Sequence, residues 1–171
     1  VPYPARGRMN PATVLRGAAV LLLFVACRST SPAPTATHTL VYGGDVLLGN
    51  NLNTAMYDDA ARHTLFGDIT PLFQEADIAL LNAEGVIANG GAYFDKREPA
   101  PHLFRTTPLA IDALQHAGID VVSVGNNHAL DYGTDAFVEM LDRLVMGGID
   151  YTGGGHNRAD AYRPSYLQVD D

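Results

Sequence analysis

The chain has 171 residues, with 11 Lys and Arg against 19 Asp and Glu, a formal charge of −8 at pH 7. That acidic balance excludes nucleic acid as a direct partner, because phosphate-tracking surfaces concentrate basic residues. Cys27 is the single cysteine, so no disulfide framework exists and stability must come from an apolar core or a metal.

The first 37 residues read as a leader and tether. Arg6, Arg8 and Arg16 precede an apolar run over 17–26, and no acidic residue appears before Asp45. A basic start, a short apolar stretch and small residues before a cut site describe a secretory signal. The run is shorter than the roughly 20 residues that span a bilayer. It ends in Leu23-Phe24-Val25-Ala26-Cys27, which resembles a bacterial lipoprotein signal whose cysteine becomes the lipidated first residue. Phe24 stands where such signals usually carry leucine, and the alternative is an ordinary cleaved signal with a chance cysteine. Met9 fits the initiator position, with residues 1–8 upstream of it. Residues 1–27 are thus expected to be the signal, 28–37 a Ser/Thr/Pro/Ala tether, and 38–171 one domain. Residues 1–26 hold three of the basic residues and no acid, so the remainder has 8 basic and 19 acidic residues, a charge of −11. The expectation is an exported lipoprotein, held at the bacterial cell envelope through Cys27.

A first strand is predicted over 38–48, followed by helical spacing over 50–62 (Leu52, Met56, Ala60). A short helix over 69–76 leads into a strand over 77–81. A long loop begins at Asn89 and continues through Pro99 and Pro101. Thr106-Thr107-Pro108 looks like a cap with proline in the first turn of a helix. That helix carries Leu109, Ala113, Leu114 and Ala117 on one face and closes at Gly118. An apolar, β-branched strand follows over 119–124. Gly133 or Thr134 caps a helix with Phe137, Met140, Leu141 and Leu144 on one face, ending at Gly147. Short strands are predicted over 149–152 and 165–169. Strands alternating with helices predict βαβ units and a largely parallel sheet.

Chemistry collects just past the carboxyl ends of strands in open α/β sheets. The strand over 119–124 runs into Gly125-Asn126-Asn127-His128-Ala129-Leu130-Asp131-Tyr132-Gly133. Upstream strands end in Gly43-Gly44-Asp45 and in Asn82-Ala83-Glu84-Gly85. Side by side, these strands would bring Asp45, Asn82, Glu84, Asn127 and His128 to one edge. That mix of oxygen and imidazole donors suits Mn, Fe, Zn or Mg. His128 is the candidate proton carrier. Asp131 is either its partner in acid–base chemistry or a cap of the following helix. Asp45 could equally close a turn, Glu84 sit in a solvated loop, and Asn126 and Asn127 form a left-handed turn. Gly153-Gly154-Gly155-His156-Asn157 could cradle an anion or be a plain turn. His38, His63, His102 and His116 show no ligand spacing. Arg97 and Arg105 flank the long loop and could meet an anionic substrate, but no pattern constrains that loop.

The blocks Gly44-Asp45-Val46-Leu47-Leu48-Gly49, Asn82-Ala83-Glu84, Asn126 to Gly133 and Gly153 to Asn157 occur in the order seen in the CapA family. That family is named for poly-γ-glutamate capsule synthesis and is similar in fold to calcineurin-like metallophosphoesterases. The resemblance covers about 38–171. It implies a metallo-dependent phosphatase-like α/β/β/α sandwich with a divalent metal at the strand ends. Asp45 matches the first aspartate of the phosphoesterase Asp-x-His, but Leu47 replaces the histidine. Asn82 and Glu84 occupy the region of the bridging aspartate. Asn127-His128 match the Gly-Asn-His block, whose histidine acts near the scissile phosphate as a proton donor or transition-state stabiliser. Family members continue well beyond this length with further histidines, so an amino-terminal half with an incomplete second sheet is expected. The resemblance implies a phosphoester or an anionic polymer such as γ-linked glutamate as substrate, and membrane synthase subunits as partners. Two functions follow: a metal-dependent envelope hydrolase of capsule or poly-γ-glutamate synthesis, or a non-catalytic, lipid-anchored component that binds polymer or a synthase.

Overall fold

The structure, a computed structural model, describes residues 37–97 and 102–169. They belong to the unit Ala36–Asp171. The signal segment, Cys27, all but the last residue of the tether, and Pro99 and Pro101 lie outside the described residues.

In chain order the elements are β1 (Leu40–Val46), α1 (Asp59–His63), α2 (Thr70–Gln74), β2 (Ile78–Ala83), β3 (Val86–Ile87), β4 (Arg105–Thr106), α3 (Ala110–Ala117), β5 (Val121–Ser123), α4 (Gly133–Met146), β6 (Asp150–Thr152) and α5 (Arg158–Ala161). One sheet of four strands has the order β1-β2-β5-β6, and every neighbouring pair is parallel. Helices carry the chain between successive strands of this sheet, as parallel pairing requires. The predicted α/β class therefore holds. The register sets Asp45 opposite Asn82, and Asn82 opposite Ser123, so the polar ends of three strands lie together. A separate two-stranded pair, β3 with β4, was not legible in the sequence because each member is only two residues long.

Side-chain periodicity explains the core. Along β2, Ala79, Leu81 and Ala83 are buried while Ile78, Leu80 and Asn82 are half-buried, the two-residue alternation of a strand. On α3, Ala110, Ala113, Leu114 and Ala117 are buried, and on α4 Phe137, Met140, Leu141 and Leu144 are buried. Both sets follow i, i+3, i+4, i+7, which is one helix face. α4 packs on β3 and β6, while α1 and α2 pack on α3. Gly118 ends α3 at φ 81°, and a Cβ there would lie 3.0 Å from the Gln74 side chain.

Four predicted features change. The helix expected over 50–62 is two 3-10 turns, Asn50–Asn53 and Ala55–Tyr57, followed by the short α1. Asn50 sits at φ 55°, and Asp58 is extended, its carboxylate accepting the Ala61 N–H at 2.8 Å. Asp58 therefore starts a new helix instead of continuing an old one. The end of this segment is held by Arg62, which donates to Asp112 at 2.5 Å, Met56 O at 2.6 Å and Asp59 at 2.7 Å. His63 and His116 stack at 4.3 Å across α1 and α3.

Thr106 is not a helix cap: it lies in β4 and donates its hydroxyl to Leu48 O at 2.9 Å, while α3 starts after Leu109 without a side-chain cap. Neither Gly133 nor Thr134 is the cap of α4; that position belongs to Tyr132, again with no side-chain bond. Residues 165–169 are irregular, and Ser165 meets Asp150 through its hydroxyl at 3.0 Å where a ladder was expected.

Candidate functional site

The parallel register brings the Asp45 carboxylate beside Asn82, whose amide donates to Asp45 Oδ1 at 2.7 Å. Asn82 Oδ1 accepts from the Asn126 amide at 3.2 Å, and that same Asn126 nitrogen donates to Ala83 O at 2.9 Å. Asn126 Oδ1 in turn accepts the His128 backbone N–H at 3.0 Å. A chain of amide bonds thus runs across the ends of β1, β2 and β5 and fixes the turn that carries His128.

His128 and Asp131 are three residues apart in a tight turn, and their side chains meet there. His128 Nδ1 lies 2.8 Å from Asp131 Oδ2. Asp131 is fully buried. Its Oδ2 also accepts the Phe104 N–H at 2.7 Å, and its Oδ1 is ion-paired with the Lys96 ammonium. Burial pushes the Asp131 carboxyl up, but Lys96, His128 and the Phe104 amide more than offset this and hold it below the usual carboxylate range. An ionised carboxylate only accepts, so His128 Nδ1 must carry the hydrogen between them. That leaves Nε2 as the nitrogen able to take and return a proton. Nε2 lies 3.8 Å from Glu84 Oε1. Phe104 covers one face of the imidazole, with ring centroids 4.2 Å apart.

The predicted residues therefore fall into two groups in contact. Asp45 and Asn82 share one bond, and Glu84, His128 and Asp131 line up along the imidazole. Asp131 does not cap α4, since its oxygens are engaged by His128, Phe104 and Lys96. Asn127 is exposed and contributes only its carbonyl, which accepts from Lys96 at 2.5 Å. Asn126, Lys96 and Phe104 were missed as site residues. Adjacent asparagines cannot be told apart by pattern, and Lys96 and Phe104 come from the long loop and its exit.

A divalent ion needs several oxygen and nitrogen donors aimed at one point. Here Asp45 Oδ1 and Asn82 Oδ1 each accept an amide N–H, and His128 Nδ1 faces Asp131. Among the described residues, no three His, Cys, Asp or Glu side chains converge in a way that could hold a metal. The donor set as arranged does not fit the metal that the resemblance implies. The chemistry these residues offer as arranged is proton transfer.

Gly85 shapes the site sterically. It adopts φ +99°, and a Cβ would lie 2.6 Å from the Phe104 Cβ and 2.8 Å from the Phe104 carbonyl oxygen. Gly85→Ala is expected to displace Phe104 from His128 and to destabilise by more than about 1 kcal/mol. Thermal unfolding should show a Tm lowered by at least about 2–4 °C, and an unchanged Tm would refute this packing.

A family model described as "Bacterial capsule synthesis protein PGA_cap" matches residues 39–171. The chain is similar to "PGA biosynthesis protein CapA" of Bacillus subtilis (strain 168), 25% identical over 127 residues, covering 74% of this chain and 33% of that protein. It is similar to "Capsule biosynthesis protein CapA" of Bacillus anthracis, 24% identical over 132 residues, covering 77% and 32%. A "Probable polyglutamine synthesis accessory protein" of Mycobacterium tuberculosis is 29% identical over 93 residues, covering 54% and 24%. The chain spans about a third or less of the length of these curated relatives.

Proposed function

The chain belongs to the bacterial capsule synthesis protein family, and on that premise we propose that it serves capsule or poly-γ-glutamate synthesis or export at the cell envelope through an Asp131–His128 acid–base pair. One observation carries this reading: a buried Asp131 holds His128 Nδ1 at 2.8 Å and turns Nε2 toward Glu84. In its neutral form His128 takes a proton at Nε2 from an attacking water or hydroxyl. The imidazolium, stabilised by Asp131, returns that proton to the departing oxygen or nitrogen. Glu84, beside Nε2, orients the attacking group. A phosphoester or the amide of an anionic polymer meets these requirements.

Complementation of a capsule-deficient bacterial host with the full chain tests the reading. Loss of envelope polymer in His128→Asn, at normal protein level, supports it. Wild-type polymer in that variant overturns the catalytic reading. It would favour the second one, a non-catalytic binding component, which is supported by Leu47 and by the amide hydrogen bonds that Asp45 Oδ1 and Asn82 Oδ1 already accept.

Anchoring belongs to the same proposal. After cleavage of the signal, Cys27 takes the lipid and residues 28–37 tether the domain. Cys27→Ser is expected to move the protein from the membrane to the soluble fraction and to abolish labelling by a fatty-acid probe. Unchanged membrane retention would refute the anchor.

A further inference from the structure

Beside the acid–base pair lies a polar cavity that proton transfer does not use. It is open to solvent, encloses about 280 Å³ and is lined by Asn53, Tyr57, Asn89, Arg105, Thr106 and Thr107. Its one charged group is Arg105. Elsewhere Arg62, Lys96, Arg143 and Arg163 each meet a carboxylate. Arg105 has no carboxylate partner among the described residues. Its guanidinium lies 4.3 Å over the Tyr132 ring and gives one bond, to Gly90 O at 3.1 Å, although a guanidinium has five N–H donors. Glu139 is engaged elsewhere: it accepts the Asn89 and Gly90 amides at 3.1 Å and pairs with Arg143 at 2.7 Å.

The walls are fixed before any ligand arrives. Asn53 donates to Arg105 O at 3.1 Å, while its Oδ1 accepts from the Thr106 hydroxyl at 3.1 Å and the Thr107 N–H at 3.2 Å. The cation is thus held over the Tyr132 ring and by its backbone, and among the described residues its other donors meet no carboxylate. Such preorganisation favours a planar or tetrahedral oxyanion that accepts two parallel bonds. Arg105 also follows Phe104, which touches both His128 and Asp131. An acidic group bound at Arg105 would sit one residue along the segment that positions the proton carrier. A chain this acidic repels polyanions, so an unneutralised local cation is what such a substrate would need.

We propose that the Arg105 cavity is a subsite for one carboxylate of an anionic polymer repeat. The proposal rests on the reading above and names where its substrate is gripped. The test is calorimetric titration of the purified full chain with a γ-linked glutamate oligomer and, separately, with inorganic phosphate, at low and moderate salt. The wild type should bind the oligomer, more weakly as salt rises. Arg105→Met should weaken binding by about tenfold or more, the loss expected of a charge-assisted pair. Because that change also removes the Tyr132 contact, Thr107→Glu provides a second measure: it leaves Arg105 in place, sets a carboxylate at the cavity, and should weaken binding comparably. Binding is read without turnover, so a failed acid–base reading leaves this result intact. Phosphate binding with the same Arg105 dependence, and none of the oligomer, overturns the carboxylate assignment. Absence of binding to either, or wild-type binding in both cavity variants, overturns the subsite itself.

Discussion

His128→Asn should lower turnover of the polymer or phosphoester by about 10²–10⁴-fold, the range that a positioned general acid or base supplies. Asparagine is chosen because its amide can still donate to Asp131, so the turn and the buried carboxylate keep a partner. What disappears is the nitrogen facing Glu84 at 3.8 Å. The variant should therefore melt near the wild-type temperature while polymer formation or cleavage by the full chain fails. A rate within a few-fold of wild type would remove His128 from the chemistry, however well it is placed.

Asp131→Ala should be the most destabilising single change in the site. It would leave the nearly buried Lys96 ammonium without its carboxylate and the Phe104 N–H without its acceptor, and release the imidazole. Breaking a buried ion pair from one side costs about 3–5 kcal/mol. For a domain of this size the Tm should fall by on the order of 10 °C. The same carboxylate sets a pH dependence. Its folded pKa is depressed, so its contribution is complete above the unfolded value of about 3.9 and is lost as pH falls through the folded value. Asp112 and Glu139, also held below the usual range by cationic and amide partners, lose stability in the same direction, though more weakly because they are more exposed. Thermal unfolding from pH 7 down to pH 3 should show a steeper acid loss in the wild type than in Asp131→Asn. Equal slopes would mean that Asp131 is not ionised in the folded protein.

Much of this site was legible because its central contact is local. His128 and Asp131 lie three residues apart in a turn, so the motif alone brought them within reach. The parallel sheet was legible through alternation, and once the strands were adjacent their ends placed Asp45, Asn82 and Glu84 together. The helices α3 and α4 were legible because their buried residues repeat every three or four positions. Where periodicity was read too far, as over 50–62, a single left-handed asparagine and the Asp58 cap ended the helix.

The remaining partners come from far along the chain. Phe104 reaches Asp131 across 27 residues, and Lys96 reaches Asn127 across 31. Arg105 meets Tyr132 in the same way. These contacts depend on the path of a loop with no repeating pattern, so nothing local in the sequence could select Lys96 or Phe104 from their neighbours, or tell Arg105 from Arg97. The choice between Asn126 and Asn127 was likewise settled by which amide faces Asn82. By itself, then, the sequence determined the α/β class, the family resemblance and the His128–Asp131 motif, all of which rest on short-range spacing. Only the tertiary structure decided the charge on Asp131, the direction of His128 Nε2 and the place of Arg105 over Tyr132, because each depends on which distant groups come together.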